Sequence, residues 1–155
     1  MIQRIQTVYL LFVAGLFIAL QFLPLAVVQA DNVLYSFDVT GVNTTVEPSE
    51  LILPTWSLMA IAGIIILLSF ATIFTYKKRI LQIRMCLFNG LLMIGFCALF
   101  GFYAWKISHA PDFSSVSVNL RLWASFPIIA LILDYLAIRN IGADEALVRS
   151  LERLR

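Results

Sequence analysis

Four stretches of this chain are so apolar, and so poor in charge, that they restrict what the rest can do. Ile5 to Val28 is broken only by Gln6, Thr7, Gln21 and Pro24, while Trp56 to Tyr76 and Met85 to Trp105 contain no charged residue. A helix of about 20 such residues crosses a hydrocarbon core of about 30 Å. The fourth stretch, Leu122 to Ile138, is shorter and carries Asp134. It reaches spanning length over 120–139 if Arg121 snorkels to the interface. The sequence therefore predicts an all-α membrane protein, a bundle of four transmembrane helices over 5–28, 56–76, 85–105 and 120–139.

Composition leads to the same class. The chain is 61% hydrophobic and 13% charged, with a mean hydropathy of +0.94. A water-soluble domain carries about 45–50% apolar and about 25% charged residues, so this surface is built for lipid. Its 155 residues form one domain, 1–155. No basic stripe or base-stacking aromatic pattern points to nucleic acid. Cys86 and Cys97 lie eleven residues apart in one span, about 16 Å along a helix. That is too far for a disulfide between them.

The first stretch also has features of a secretory leader: Arg4 before the apolar run, and Val28-Gln29-Ala30 as a small-residue cleavage pattern. Its apolar run is longer than a leader's, and the reading adopted is a retained helix. Orientation follows from the basic residues. Arg4, Lys77, Lys78, Arg79, Arg84, Arg139, Arg149, Arg153 and Arg155 fall on one side and only Lys106 and Arg121 on the other, which accounts for all eleven. Both termini are expected in the cytoplasm of a bacterial inner membrane. Trp56, Trp105 and Trp123 sit at the external helix ends, where indole rings anchor at the headgroup level.

The external loops, 30–54 and 106–120, have strand character. Val33 to Val39 and Val42 to Val46 flank Thr40-Gly41, which predicts a hairpin. Ser114 to Val118 supplies a third strand, giving a small β-cap over the external end. The tail, 141–155, is expected to leave the membrane as a separate short amphipathic helix, with Asp144 as its cap. Leu147, Arg149, Leu151, Arg153, Leu154 and Arg155 would form a surface for lipid headgroups or a partner.

Chemistry-bearing residues are few. Asp134 is the one ionisable side chain inside a span, a position that marks function by default. It lies five residues before Arg139, near the inner interface, level with Arg84 and Arg4. A structural ion pair with Arg84 or Arg4 is the preferred reading over a proton relay or substrate site. Asn89 and Gln82 lie at the same end as interhelical hydrogen-bonding groups, and Gly15, Gly90, Gly95 and Gly101 offer points of close helix approach. Asp134, Arg84, Asn89 and Arg4 thus form the candidate polar cluster. The lone histidine, His109, is in a loop, and the sequence holds no catalytic constellation, no metal-ligand spacing and no cofactor motif.

Three segments together resemble a known family: Met1-Ile2-Gln3-Arg4-Ile5-Gln6-Thr7, the junction Arg79-Ile80-Leu81-Gln82-Ile83-Arg84-Met85-Cys86, and the ending Asp144 to Arg155. They are similar to a Bacteroidota family catalogued as domain of unknown function 4293. The resemblance covers the whole chain and implies a four-span inner-membrane protein; it implies no activity or ligand. The layout is also similar to that of claudin-type proteins, but residues 31–54 lack Trp and Cys, so that likeness is one of shape. Two functions remain. The first is a non-catalytic accessory, assembly or scaffold subunit, whose partners are the bilayer and other membrane subunits. The alternative is a transport or lipid-binding module with its site near Asp134, Arg84 and Asn89.

Overall fold

The computed structural model describes residues 3–30, 33–45, 51–75, 78–109 and 116–152, the side chains of 3, 4, 51, 52 and 149–152 excepted. The chain runs α1 (Gln3–Leu20), β1 (Ala26–Ala30), β2 (Val33–Phe37), β3 (Gly41–Thr44), β4 (Leu51–Pro54), α2 (Trp56–Phe74), α3 (Arg79–Ser108), β5 (Val116–Leu120), a 3₁₀ turn (Leu122–Ser125) and α4 (Phe126–Glu152). Each helix packs on the next and α4 closes back on α1. Three helical segments, Trp56–Phe74, Arg79–Ser108 and Leu122–Val148, are long and apolar enough to cross a membrane; the apolar part of α1, Ile5–Leu20, is shorter.

α1 stops eight residues before the sequence-predicted end at Val28. Pro24 has no N–H to continue a helix, and the segment beyond it is rich in β-branched residues. Residues 26–30 become β1, an inner strand hydrogen-bonded on both sides, with Val28 opposite Tyr35 of β2 and Val118 of β5. Sheet order is β4-β3-β2-β1-β5, all antiparallel. The expected hairpin is β2–β3, with Phe37 opposite Val42. The expected third strand is described from Val116, where it pairs with β1; Ser114 and Ser115 lie outside the described residues. Neither β1 nor β4 was predicted.

Sheet and bundle share one core. Val28, Tyr35 and Phe37 point from the sheet into the cluster that holds Phe17, Leu20, Leu58, Ile65, Met93 and Phe96 from the helices. Phe37 stacks on Phe100 with ring centroids 5.2 Å apart, and Phe17 meets Phe96 edge-on at 5.5 Å. Thr55 fixes the joint, its hydroxyl donating to the carbonyls of Asp38 and Val39, each at 3.1 Å. The sheet therefore closes one end of the bundle and leaves the other end open to be built from helix termini alone.

Along the fourth helix the structure differs from the sequence reading a second time. Residue 120 closes β5, residues 122–125 form the 3₁₀ turn, and α4 then runs unbroken to Glu152. There is no separate tail helix and Asp144 caps nothing. Gly142 costs a helix interior only about 1 kcal/mol relative to alanine. Ile141, fully buried with Leu10, Cys86 and Ala137, outweighs that. Arg79 adds a clamp from the start of α3, its Nη1 donating to the Asp144 carbonyl at 3.1 Å.

Candidate functional site

The polar residues of the core are unevenly distributed. Besides Thr55 at the joint with the sheet, the buried polar side chains among the described residues are Gln6 of α1, Ser69 and Thr72 of α2, Gln82 and Asn89 of α3 and Asp134 of α4. These six, Thr55 apart, lie in the sheet-distal half. The half nearer the sheet is filled by Phe17, Met93, Phe96 and other apolar side chains. On α3 the spacing Gln82, Cys86, Asn89, Met93 keeps these residues on one face, at i, i+4, i+7 and i+11.

Asn89 is the connecting group. Its Nδ2 donates to Ser69 Oγ at 3.0 Å, and that hydroxyl donates in turn to the Ile65 carbonyl at 2.8 Å. The same amide side chain faces the Asp134 carboxyl, and Cys86 is fully buried one turn earlier on the same face of α3. Asp134 is 1% exposed. It sits against Gly90, where a Cβ would stand 3.2 Å from Oδ2, so glycine is what allows the carboxyl so near the α3 backbone. Of the glycines proposed as close-approach points, Gly90 is thus in contact; Gly15, Gly95 and Gly101 have nothing within 4 Å of a modest side chain.

Hydrogen bonding around this group is incomplete. Asp134 Oδ1 and Asn89 Oδ1 are buried with no hydrogen-bond partner, as is Gln6 Nε2 one level nearer the helix ends. The ion pair expected from sequence is not formed with Arg84: among the described residues neither Arg84 nor Asp134 makes a salt bridge. The two lie on different helices and not at one depth: Asp134 is level with Gly90, six residues of α3 beyond Arg84, about 9 Å of helix. The Arg84 side chain is turned outward, and what reaches the carboxyl from α3 is Asn89. The side chain of Arg4 lies outside the described residues.

Arg84 and Asp134 are nevertheless brought to one place. A cavity of about 530 Å³ opens sideways between α3 and α4, with Gly90 and Asp134 on its floor, Arg84 at its sheet-distal rim, and Leu87, Leu91 and Ile94 along its wall. Leu87, Leu91 and Ile94 are more than half exposed, so the groove faces away from the bundle. Asn89 lies behind the floor, fully buried. The second proposed surface is described only at Leu147, which is 55% exposed on α4; the side chains of Arg149, Leu151, Arg153, Leu154 and Arg155 lie outside the described residues. No group of three or more His, Cys, Asp or Glu that could hold a metal is found among the described residues.

Sequence reasoning missed Ser69, although its signal is plain in retrospect. Ser69 and Thr72 are hydroxyls three residues apart in a charge-free apolar helix, and that spacing puts them on one face.

Residues 2–154 match the family described as Domain of unknown function (DUF4293). The chain belongs to that family. No curated protein and no solved structure matches it. The site of this DUF4293 member therefore has to be understood from its own geometry: a carboxyl with a free acceptor, seated in a sideways groove and backed by a polar chain reaching α2.

Proposed function

We propose that this protein is a multi-pass protein of a bacterial inner membrane, with both termini cytoplasmic and the sheet external, and that it serves as a non-catalytic accessory, assembly or scaffold subunit of a larger complex. The membrane reading is supported by the outward helix faces: Leu67, Phe74, Leu87 and Leu122 are each about 70% exposed or more, tolerable in lipid and costly in water. α1, eighteen residues long, measures about 27 Å, close to the hydrocarbon thickness. Nine of the eleven basic residues then flank the cytoplasmic side.

The subunit role is carried by one observation, the unpartnered Asp134 oxygen at the floor of the α3/α4 groove. A buried acceptor without a donor costs about 1–3 kcal/mol, and lipid tails offer no donor. A second protein surface closing the groove offers one. The test is native purification of the tagged chain in mild detergent, with wild type compared with Asp134→Asn. A stoichiometric partner that is depleted by the substitution supports the subunit role. A solitary chain in both preparations refutes it.

The alternative, a transport or lipid-binding module with its site near Asp134, Arg84 and Asn89, is favoured by the size of the groove. At about 530 Å³ it falls within the range of about 300–1,000 Å³ typical of small-molecule sites. The fully buried layer of Phe17, Ile65, Met93 and Phe96 above it supports assembly over passage, because it fills the path toward the sheet.

A further inference from the structure

We infer that the α3/α4 groove receives a single transmembrane helix of a partner protein, one that carries a basic side chain level with Asp134 and an acidic side chain about two turns nearer the cytoplasm, facing Arg84. The inference rests on the accessory-subunit reading and specifies the chemistry of the partner.

Two side chains of opposite charge type, neither in an ion pair among the described residues, set the pattern. Asp134 is 1% exposed, lacks a partner at Oδ1 and lies on the groove floor. Arg84 stands at the rim and makes no ion pair among the described residues. Six residues of α3 separate Arg84 from Gly90, which marks the depth of Asp134; this is about 9 Å of helix. On a facing helix, positions seven residues apart lie on one stripe about 10 Å apart, so one helix can meet both charges. The apolar walls, Leu87, Leu91 and Ile94, supply the packing between them.

Other occupants satisfy less of this. An inner-leaflet phospholipid could place its phosphate on Arg84, but its acyl chain would offer nothing to a carboxyl about 9 Å deeper. A second copy of the chain would bring the same acid and the same base at the same depths, opposing like with like wherever two grooves met face to face.

The test uses the full chain in phosphatidylcholine bilayers with synthetic leucine–alanine transmembrane peptides, binding read by energy transfer. One peptide carries Lys at the depth of Gly90 and Glu seven residues nearer the cytoplasmic end; a second has these charges exchanged; a third has neither. The first is expected to bind about threefold to twentyfold more tightly than the third, the span of interhelical polar contacts in bilayers. The second is expected to bind no better than the third. Asp134→Asn should abolish the preference. Leu91→Trp, at a position 63% exposed and so without consequence for folding, should block binding of the first peptide by filling the groove.

Equal binding of the three peptides overturns the inference, as does a preference that survives Asp134→Asn. Displacement of the first peptide by phosphatidylethanolamine or by unlabelled copies of the chain would identify a different occupant and also overturn it. The outcome is separable from that of the subunit reading. A native partner retained by Asp134→Asn and Leu91→Trp leaves the subunit role standing and removes the groove. Peptide selectivity with no native partner does the reverse.

Discussion

Replacing Ser69 and Asn89, singly and together, tests the buried chain that reaches Asp134. Asn89 Nδ2 donates to Ser69 Oγ at 3.0 Å while Asn89 Oδ1 has no partner. Ser69→Ala removes an interhelical bond of about 0.6 kcal/mol on average, with a maximum of about 1.7. It also strands a buried amide donor at a cost of about 1–3 kcal/mol. A loss of about 1.5–3 kcal/mol is expected. Asn89→Leu forfeits the same bond and takes the amide away from the buried Asp134 carboxyl, while removing the acceptor that was already stranded, so it should cost about 1–3 kcal/mol.

The double variant should resemble Asn89→Leu alone, because Ser69 can still satisfy itself on the Ile65 carbonyl at 2.8 Å when it is present and strands nothing when it is absent. A coupling as large as the Ser69→Ala effect itself, about 1.5–3 kcal/mol, follows. Reversible unfolding of the purified protein in mixed micelles, followed by far-UV dichroism, measures all four corners of the cycle. Additivity within about 0.3–0.5 kcal/mol, or a Ser69→Ala variant as stable as wild type, would refute the argument.

Three further outcomes are expected. Asp134→Asn and Arg84→Gln should be additive in the same unfolding assay to within about 0.5 kcal/mol, because no ion pair joins them; strong coupling would restore the pair that the sequence suggested. Ile141→Ala should cost about 2–5 kcal/mol through the cavity it opens against Leu10 and Cys86, whereas Leu147→Ala, more than half exposed, should change stability by less than about 0.5 kcal/mol. Equal effects would mean that Ile141 is not packed against Leu10 and Cys86. Thr55→Val keeps shape but removes the hydroxyl that donates to Asp38 and Val39. It should destabilise the chain by about 1 kcal/mol and speed amide exchange in β2 and β3 before it affects the helices.

Much of the helical framework is legible residue by residue. The helix-forming stretches at 56–74 and 85–105 declare themselves because an unbroken apolar run of that length has few other ways to satisfy its backbone. The β2–β3 hairpin is likewise local, with Thr40-Gly41 between two β-prone runs. Pro24 carried the signal for the end of α1, and it was outweighed by the hydrophobicity of Leu25 to Val28. Those residues are just as apolar in a central strand as in a helix, and hydropathy cannot tell the two apart.

Pairing and direction were beyond such reading. β1 is a strand because β2 and β5, almost ninety residues apart in sequence for the latter pair, flank it and supply its hydrogen bonds. α4 continues past Gly142 because α1 and α3 bury Ile141 there. Asp134 meets Asn89 and Gly90 rather than Arg84 because helix rotation, set by packing all around the ring, decides which faces meet. Sequence alone determined where the chain is apolar, where its cations gather, and that one carboxyl is out of place. Only the tertiary structure decided what that carboxyl touches, since a hydrophobic period is a property of one segment and a contact is a property of two.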